Sequence, residues 1–350
     1  MQVNITIFLI CLIPLLLAIL PPESYYSLLF RQDGDLFHKR VIVTGASLGI
    51  GREIALRFAS AGVKHIALVA RSQHRLETLK TEIIQEWKSH TSAVSQPTPM
   101  VHVLPADLSD EEQCAKVIET AVELMDQWDW NEHQVRESGG LDYLVLNHIT
   151  NSHYGLWFDM KQRDGDTDIT AVAVAVAAVS KPHPYVEEMF KVNTLSYIWL
   201  ATAAVPYLQK RIPDDSTTQS TYAGHIVVIS SLAGKTGVPH TALYSSTKHA
   251  LHGFFTSLRI ELNMMKVPVR VLLCVIGATN TEGTHEVQTK VSNSVTWEDP
   301  KLVANAIFTH SLFPHSTEMY FPHVDIGIAS FIGQVFPSLM EIILSFAMNN

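Results

Sequence analysis

Two residues with complementary proton chemistry stand four apart in Tyr244-Ser245-Ser246-Thr247-Lys248. On a helix, positions i and i+4 share a face, so the phenol and the ammonium become neighbours. A tyrosine titrates near 10, too high for efficient proton transfer at neutral pH, and an adjacent cation favours the phenolate. The pair therefore suits proton exchange with a substrate oxygen; a chance pair on a helix surface is the alternative. Thirteen residues before Tyr244, Ser231 follows the apolar run His225–Ile229, where its hydroxyl can hold a carbonyl oxygen. Asn193 interrupts the mostly apolar stretch Phe190–Leu195. Asparagine is a poor helix former away from a cap, so a polar role in the same site, such as holding a water, accounts for it.

A second constellation lies near the start of the chain. Val41-Ile42-Val43-Thr44-Gly45-Ala46-Ser47-Leu48-Gly49-Ile50-Gly51-Arg52 reads as a strand, a glycine-rich turn and the first residues of a helix. Gly45 permits the turn, Gly49 admits a pyrophosphate close to the backbone, and Gly51 lets helix and strand approach. The helix start then offers free N–H groups and a positive dipole end to phosphates. Three glycines alone are weak evidence; their place directly between an apolar strand and a helix gives the context that a dinucleotide site needs. No Gly-Lys-Ser/Thr ending follows, which excludes a nucleoside-triphosphate loop. At the end of the next strand, where an NAD enzyme carries an acid for the ribose hydroxyl, stand Arg71 and Ser72. A guanidinium there suits a 2′-phosphate, so NADP(H) is the expected cofactor. Leu48 supplies no basic partner in the turn.

These residues need elements to position them. Short apolar strands at Val41–Val43, Ile66–Val69, Val101–Leu104, Leu144–Leu146, His225–Ile229 and Val269–Val275 alternate with helices. The helices are expected over Arg52–Ala61, Glu77–Lys88, Glu111–Trp128, Val186–Leu208 and Ser245–Met264. This alternation predicts an α/β fold: one doubly wound, Rossmann-like parallel sheet, with its ligand site at the carboxyl ends of the strands. The 350 residues, 47% hydrophobic, suffice for one such domain, expected over residues 40–315. The net charge of −9 argues against nucleic acid as a partner. Cys11, Cys114 and Cys274 match no metal spacing.

The ends differ from this body. Val3–Leu20 is almost wholly apolar and, as a helix, roughly 27 Å long, close to the thickness of a bilayer core. With no basic region before it and a poor cleavage site after it, residues 1–22 are expected to be an uncleaved transmembrane anchor, followed by a polar linker over 23–39. Basic residues after the run weakly suggest a cytosolic body. An insertion over about 162–181 ends in an Ala/Val run that periodicity leaves open between strand and helix. The tail, 316–350, includes Ile326–Met348, whose only charge is Glu341, and is expected to pack at an interface, at a second subunit or in ordinary core.

Taken together, Thr44-Gly-x-x-x-Gly-x-Gly51, Asn193, Ser231 and Tyr244-x-x-x-Lys248 resemble the short-chain dehydrogenase/reductase family over roughly residues 38–315. Asn147-His148-Ile149, Ser230–Lys235 and the N-terminal apolar run are similar to its 11β-hydroxysteroid dehydrogenase branch. The resemblance implies roles. Tyr244 is the general acid/base, Lys248 lowers its pKa and binds the nicotinamide ribose, Ser231 orients the carbonyl, and Asn193 supports a water-linked relay. It also implies Asp107 and Leu108 near the adenine, Asn147, His148 and Ile149 along the cofactor, and Thr279, Asn280 and Thr281 near the nicotinamide and phosphates. The implied activity is hydride transfer between NADP(H) and a carbonyl or alcohol on a lipophilic, steroid-like substrate. Retinoid or fatty-acyl carbonyls are the alternative substrates, and a non-catalytic membrane scaffold is the alternative class. A homodimer in the endoplasmic reticulum membrane is implied too, and branch members tend to face the lumen, so orientation stays open.

Overall fold

Strands covered on both faces need largely apolar interiors, and the stretches Val41–Val43, Ile66–Val69, Tyr143–Leu146, Ile226–Ile229 and Val271–Ile276 provide them. A computed structural model describes residues 36–90, 98–131, 140–150, 184–209, 224–288, 295–313 and 316–349. Its strands are β1 (Arg40–Thr44), β2 (His65–Ala70), β3 (Met100–Pro105), β4 (Tyr143–Leu146), β5 (Gly224–Ser231), β6 (Val269–Ile276) and β7 (Glu318–Phe321). They form one sheet in the order β3-β2-β1-β4-β5-β6-β7. Every neighbouring pair is parallel. The winding reverses between β1 and β4, which opens a crevice at their carboxyl ends.

Helices cover both faces. On one, α1 (Gly49–Ser60), α2 (Gln73–His90) and α8 (Pro300–Leu312) bring Ile54, Phe58, Leu76 and Ile307 onto Val41, Val43 and Leu272. On the other, α3 (Glu111–Asn131), α5 (Ser196–Leu208) and α6 (Ala242–Met264) bring Ile118, Tyr197, Leu251 and Phe255 onto Ile42, Leu144 and Ile226. Each such fully buried side chain contributes about 1.5–3 kcal/mol. The short helices α4 (Pro184–Phe190) and α7 (His285–Gln288) flank the crevice side, and α9 (His323–Val335) and α10 (Pro337–Asn349) end the chain.

The expected doubly wound sheet is the one found, with differences at its margins. The helix expected without a break over Val186–Leu208 is interrupted at Lys191–Leu195 by a wider π-type turn. The sheet continues past residue 315: Glu318–Phe321 pairs with β6 as an edge strand, too short and too polar at Glu318 to stand out from the tail. α8 is not among the expected elements, although its start is marked: Asp299 accepts from the Lys301 N–H and Pro300 opens the first turn. The apolar run 3–20 and the insertion at 162–181 lie outside the described residues. Among the described residues no helix is long and apolar enough to cross a membrane. α9 packs on β7, while Phe331, Phe336, Leu339 and Ile342 of α9, α10 and their junction stay exposed.

The amino ends of the strands carry a buried polar knot. Arg40 donates to Asp126 and to Asp129, each at 2.5 Å, and Lys64 pairs with Asp129 at 2.5 Å. His65 Nε2 lies 3.1 Å from Asp129 Oδ1, and His65 Nδ1 lies 3.1 Å from His102 Nε2. The carboxylate draws the His65 proton to Nε2, so Nδ1 accepts from His102. Burial holds both imidazoles neutral, pushing His102 down to about 4. As pH falls below the ordinary histidine value, the unfolded chain takes up the proton first. The stabilisation is full above about pH 6.5 and is lost as pH falls towards 4. Between pH 7 and pH 5, urea unfolding should show His102 alone removing about 2 kcal/mol. His102→Gln should flatten that decline; an equally steep decline in the variant would remove His102 as its source.

Candidate active site

α6 brings the proton chemistry together. Tyr244 lies in its first turn and Lys248 one turn later, and the helix runs along the end of β5. The Tyr244 phenol lies beside the hydroxyl of Ser231, the last residue of β5. Ser231 Oγ also accepts from the Ala233 N–H at 3.2 Å, which fixes the oxygen and leaves its proton free to be directed. Lys248 is buried, and its Nζ donates to the Ile229 carbonyl at 3.0 Å. Nζ stands 5.2 Å from the Tyr197 ring centre and 5.7 Å from that of Tyr244. Burial pulls Lys248 down to about 7. Burial also pushes Tyr244 up to about 12, with the neighbouring Ser231 hydroxyl opposing it. The expected lowering of the phenol by Lys248 is not the effect seen here. The amine lies over the ring and is held by a backbone carbonyl, so the hydroxyl that acts on the phenol is Ser231.

Asn193 sits in the π-type turn and is fully buried. Its Oδ1 accepts from the Thr150 N–H at 2.8 Å and its Nδ2 donates to the Thr150 carbonyl at 2.9 Å. The amide thus pairs with the chain after β4 as a neighbouring strand would. A wider turn exposes backbone and side chain that an α-helix would stack, and such turns recur at functional sites. His148 joins two parts of the site: its Nδ1 is 2.8 Å from Thr44 Oγ1 and its Nε2 is 2.6 Å from Ser196 Oγ. Burial, reinforced by Lys248, pushes it down to about 3. Tyr197 Oη donates to the His148 carbonyl at 2.7 Å.

Beside this group lies a cleft of about 390 Å³ at the carboxyl ends of β1 to β4. Gly45, Ser47, Leu48, Gly49 and Ile50 line one wall, with Arg71 and Ser72 at the mouth. Asp107 and Leu108 follow β3, and Asn147, His148 and Ile149 follow β4. Thr281 also lines the cleft, packed against Gly49. The expected Gly51, Thr279 and Asn280 do not line it. Gly51 faces the Gly45 carbonyl and Asn147 Nδ2. Thr279 is buried and its carbonyl accepts from Thr284 Oγ1, while Asn280 Oδ1 accepts from Gln288. Tyr244 and Lys248 do not line the cleft either; Lys248 Nζ lies over the rings of Tyr197 and Tyr244. Thr150 and Val192 do line it, and they connect it to Asn193.

Several lining residues were not anticipated: Thr150, Val192, Gly283, Ser109 and Arg75. Arg75 follows Arg71 by four residues, a spacing visible in the sequence, and its Nη1 lies 3.1 Å from Glu282 Oε2. Ser230 and His252, close behind Ser231, were not among the expected site residues, although His252 continues the four-residue spacing of Tyr244 and Lys248.

The cleft fits a dinucleotide. Gly45 has φ +65°, and a Cβ there would lie 2.8 Å from the His148 backbone. The α1 start has no side-chain cap from Leu48 and no acid in its first turn, so its N–H groups are left for an anion.

The short-chain dehydrogenase family model matches residues 39–131 and 170–292. The chain belongs to that family, and with it to the oxidoreductases that bind a nicotinamide dinucleotide. Its relatives place it in the 11β-hydroxysteroid dehydrogenase branch. It is 35% identical over 306 residues to a hydroxysteroid 11-beta-dehydrogenase 1-like protein of Xenopus tropicalis, covering 87% of this chain and 86% of the relative. The protein of that name in Gallus gallus is 34% identical over 255 residues, covering 73% of this chain and 69% of the relative. Among solved structures, an alcohol dehydrogenase from the archaeon Thermococcus sibiricus, complexed with 5-hydroxy-NADP, shares the fold. The TM-score is 0.56 at 22% identity, over 81% of this chain and 96% of that one.

Gly45→Ala should raise the dissociation constant for the dinucleotide by at least about tenfold, because a left-handed residue with a Cβ is strained by about 1–2 kcal/mol before any clash. Quenching of tryptophan fluorescence would measure it, with circular dichroism as the control for folding. Unchanged affinity in a folded variant would remove this turn from the binding site.

Proposed function

We propose that this chain is a membrane-associated, NADP(H)-dependent oxidoreductase that interconverts a carbonyl and a secondary alcohol on a lipophilic, steroid-like substrate. The observation that carries the reading is the meeting of Tyr244, Ser231 and Lys248 where α6 crosses the end of β5, beside a cleft suited to a dinucleotide. The names of the relatives support a steroid substrate. NADP(H) is supported by Arg71 and Ser72 at the cleft mouth; Arg71 is exposed and has no side-chain partner among the described residues.

A reduced nicotinamide held in this cleft would supply the hydride for the carbonyl carbon. The chain supplies the proton and the geometry. Burial keeps the Tyr244 phenol protonated at neutral pH, the state in which it can act as an acid towards the substrate oxygen. Ser231 holds that oxygen. Lys248, drawn to about 7, can hold or release a proton at neutral pH, and by the family resemblance it would take the nicotinamide ribose. Asn193 fixes Thr150 at the cleft wall. Arg71 and Ser72 would take the 2′-phosphate, Asp107 and Leu108 the adenine side, and Asn147 to Ile149 and Thr281 the length between.

The apolar segment 3–20 anchors the protein in the endoplasmic reticulum membrane, with the exposed apolar side chains of α9 and α10 suited to an interface, and the protein acts as a homodimer. The full-length protein in detergent should be assayed with NADPH and with NADH against androstenedione, all-trans-retinal and hexadecanal, following loss of reduced-dinucleotide absorbance. Turnover of androstenedione with NADPH is expected. Tyr244→Phe should lower it by about a thousandfold while changing NADPH affinity less than about twofold. Arg71→Glu should weaken NADPH at least about tenfold and leave NADH nearly unaffected. No turnover of any of the three carbonyls would overturn the enzymatic reading, and preference for retinal or hexadecanal would overturn the substrate class.

A further inference from the structure

Tyr244, Lys248 and His252 stand at i, i+4 and i+8 on α6, and each meets a different residue at the end of β5. Tyr244 meets Ser231, Lys248 meets the Ile229 carbonyl, and His252 Nε2 lies 2.9 Å from Ser230 Oγ. The reaction described above uses the first two contacts and not the third.

The third contact belongs to a longer network. His252 Nδ1 faces Glu318 Oε1 at 3.5 Å, an electrostatic contact rather than a hydrogen bond. Glu318, on β7, is also 2.6 Å from Lys235 Nζ and accepts from Tyr320 Oη at 2.7 Å. These partners hold Glu318 down at about 2, so it is ionised. The carboxylate therefore draws the His252 proton to Nδ1, and Nε2 is left to accept from the Ser230 hydroxyl. The groups facing His252 are Ser230 on β5, Glu318 on β7, Lys235 after β5, and His249 on its own helix. Gly234 closes the space: a Cβ there would lie 2.7 Å from His252 Cδ2 and 2.9 Å from Ser230 Oγ.

The order Ser–His–Glu is that of a nucleophile triad. Ser230, however, is only 1% exposed, so no substrate can reach its oxygen. What the network does hold is the six-residue stretch from Ser230 to Lys235. Ser230 is tied to α6 through His252, Lys235 is tied to β7 through Glu318, and His252 and Glu318 face each other. The chain between them contains Ser231.

We propose that Ser230, His252 and Glu318 are positioning residues for this enzyme: they close the Ser230–Lys235 stretch at both ends and so fix the Ser231 hydroxyl against Tyr244. This rests on the reading of Ser231 and Tyr244 as the reacting pair. Small displacements of an orienting group reduce turnover strongly while leaving ground-state binding nearly intact.

The test uses full-length protein, NADPH, and whichever of the three carbonyls the wild type reduces fastest, with Tyr244→Phe as the control for the reaction itself. Ser230→Ala and His252→Ala should each lower kcat by about tenfold or more, with KM for the carbonyl moving less than about threefold and NADPH affinity less than about twofold. His252→Gln, whose amide still reaches Ser230, should recover kcat to within about threefold of wild type. Amide hydrogen exchange over residues 231–236 needs no turnover, and should be faster in the two alanine variants and near wild type in His252→Gln. Wild-type kcat and exchange in the alanine variants, with Tyr244→Phe inactive, would overturn the positioning role and leave the enzymatic reading standing. So would a loss of activity that only tracks the fraction of protein still binding NADPH, or a failure of His252→Gln to recover. If no carbonyl is reduced even by the wild type, the enzymatic reading fails, and unchanged exchange would then also refute the closure of the stretch.

Discussion

A lysine ammonium has to be kept out of water in this fold, and much of the site follows from how that is done. Lys248 is 1% exposed, and no carboxylate among the described residues pairs with it. A carbonyl of β5 and two aromatic rings are its neighbours instead. An uncompensated buried cation sheds its charge rather than bear the full desolvation penalty, which is why its pKa comes down to the neutral range. The same enclosure keeps the neighbouring phenol protonated and His148 neutral. Three titratable groups within one small region thereby have their pKa values displaced chiefly by burial. Burial is also what strengthens every remaining electrostatic contact among them.

The fold was legible because its strands are unusually uniform. Val41–Val43, Ile66–Val69 and Leu144–Leu146 carry no polar residue, and apolar runs of that length between helical patterns admit few architectures. The margins were not legible for equally physical reasons. β7 is four residues long and begins with Glu318, whose carboxylate is drawn to Lys235 and His252 by tertiary contacts that no local pattern displays. The π-type turn lies in a segment whose apolar periodicity continues on both sides, so an extra residue leaves no compositional mark.

The candidate site divides in the same way. Residues whose spacing enforces proximity, the Tyr244–Lys248 pair and the turn around Gly45, are where the pattern puts them. Ser47, Leu48, Arg71 and Ser72 are brought to one cleft from two loops, as the crossover rule requires. Thr279 and Asn280 are not, because the loop after β6 folds on itself: Thr284 Oγ1 donates to the Thr279 carbonyl and Gln288 donates to Asn280. The phenol's pKa also departs from the sequence argument. Spacing brings the amine to the right face of the helix, but only the three-dimensional arrangement decides whether it stands at the phenol oxygen or over the ring.

The turn at Lys191–Leu195 sets two helical stretches out of phase. One residue beyond the regular repeat advances the azimuth of everything after it by about 100°. Asn193 can therefore face Thr150 while Tyr197 and Leu200 of the next stretch still enter the core beneath the sheet. Thr194, in the turn itself, donates to the Thr247 carbonyl of α6, so the dephasing is locked to the helix that carries Tyr244. Chain length in this stretch is consequently quantised. An insertion or deletion of one residue cannot be absorbed as slack. It would rotate either the amide away from the cleft or the apolar stripe away from the sheet.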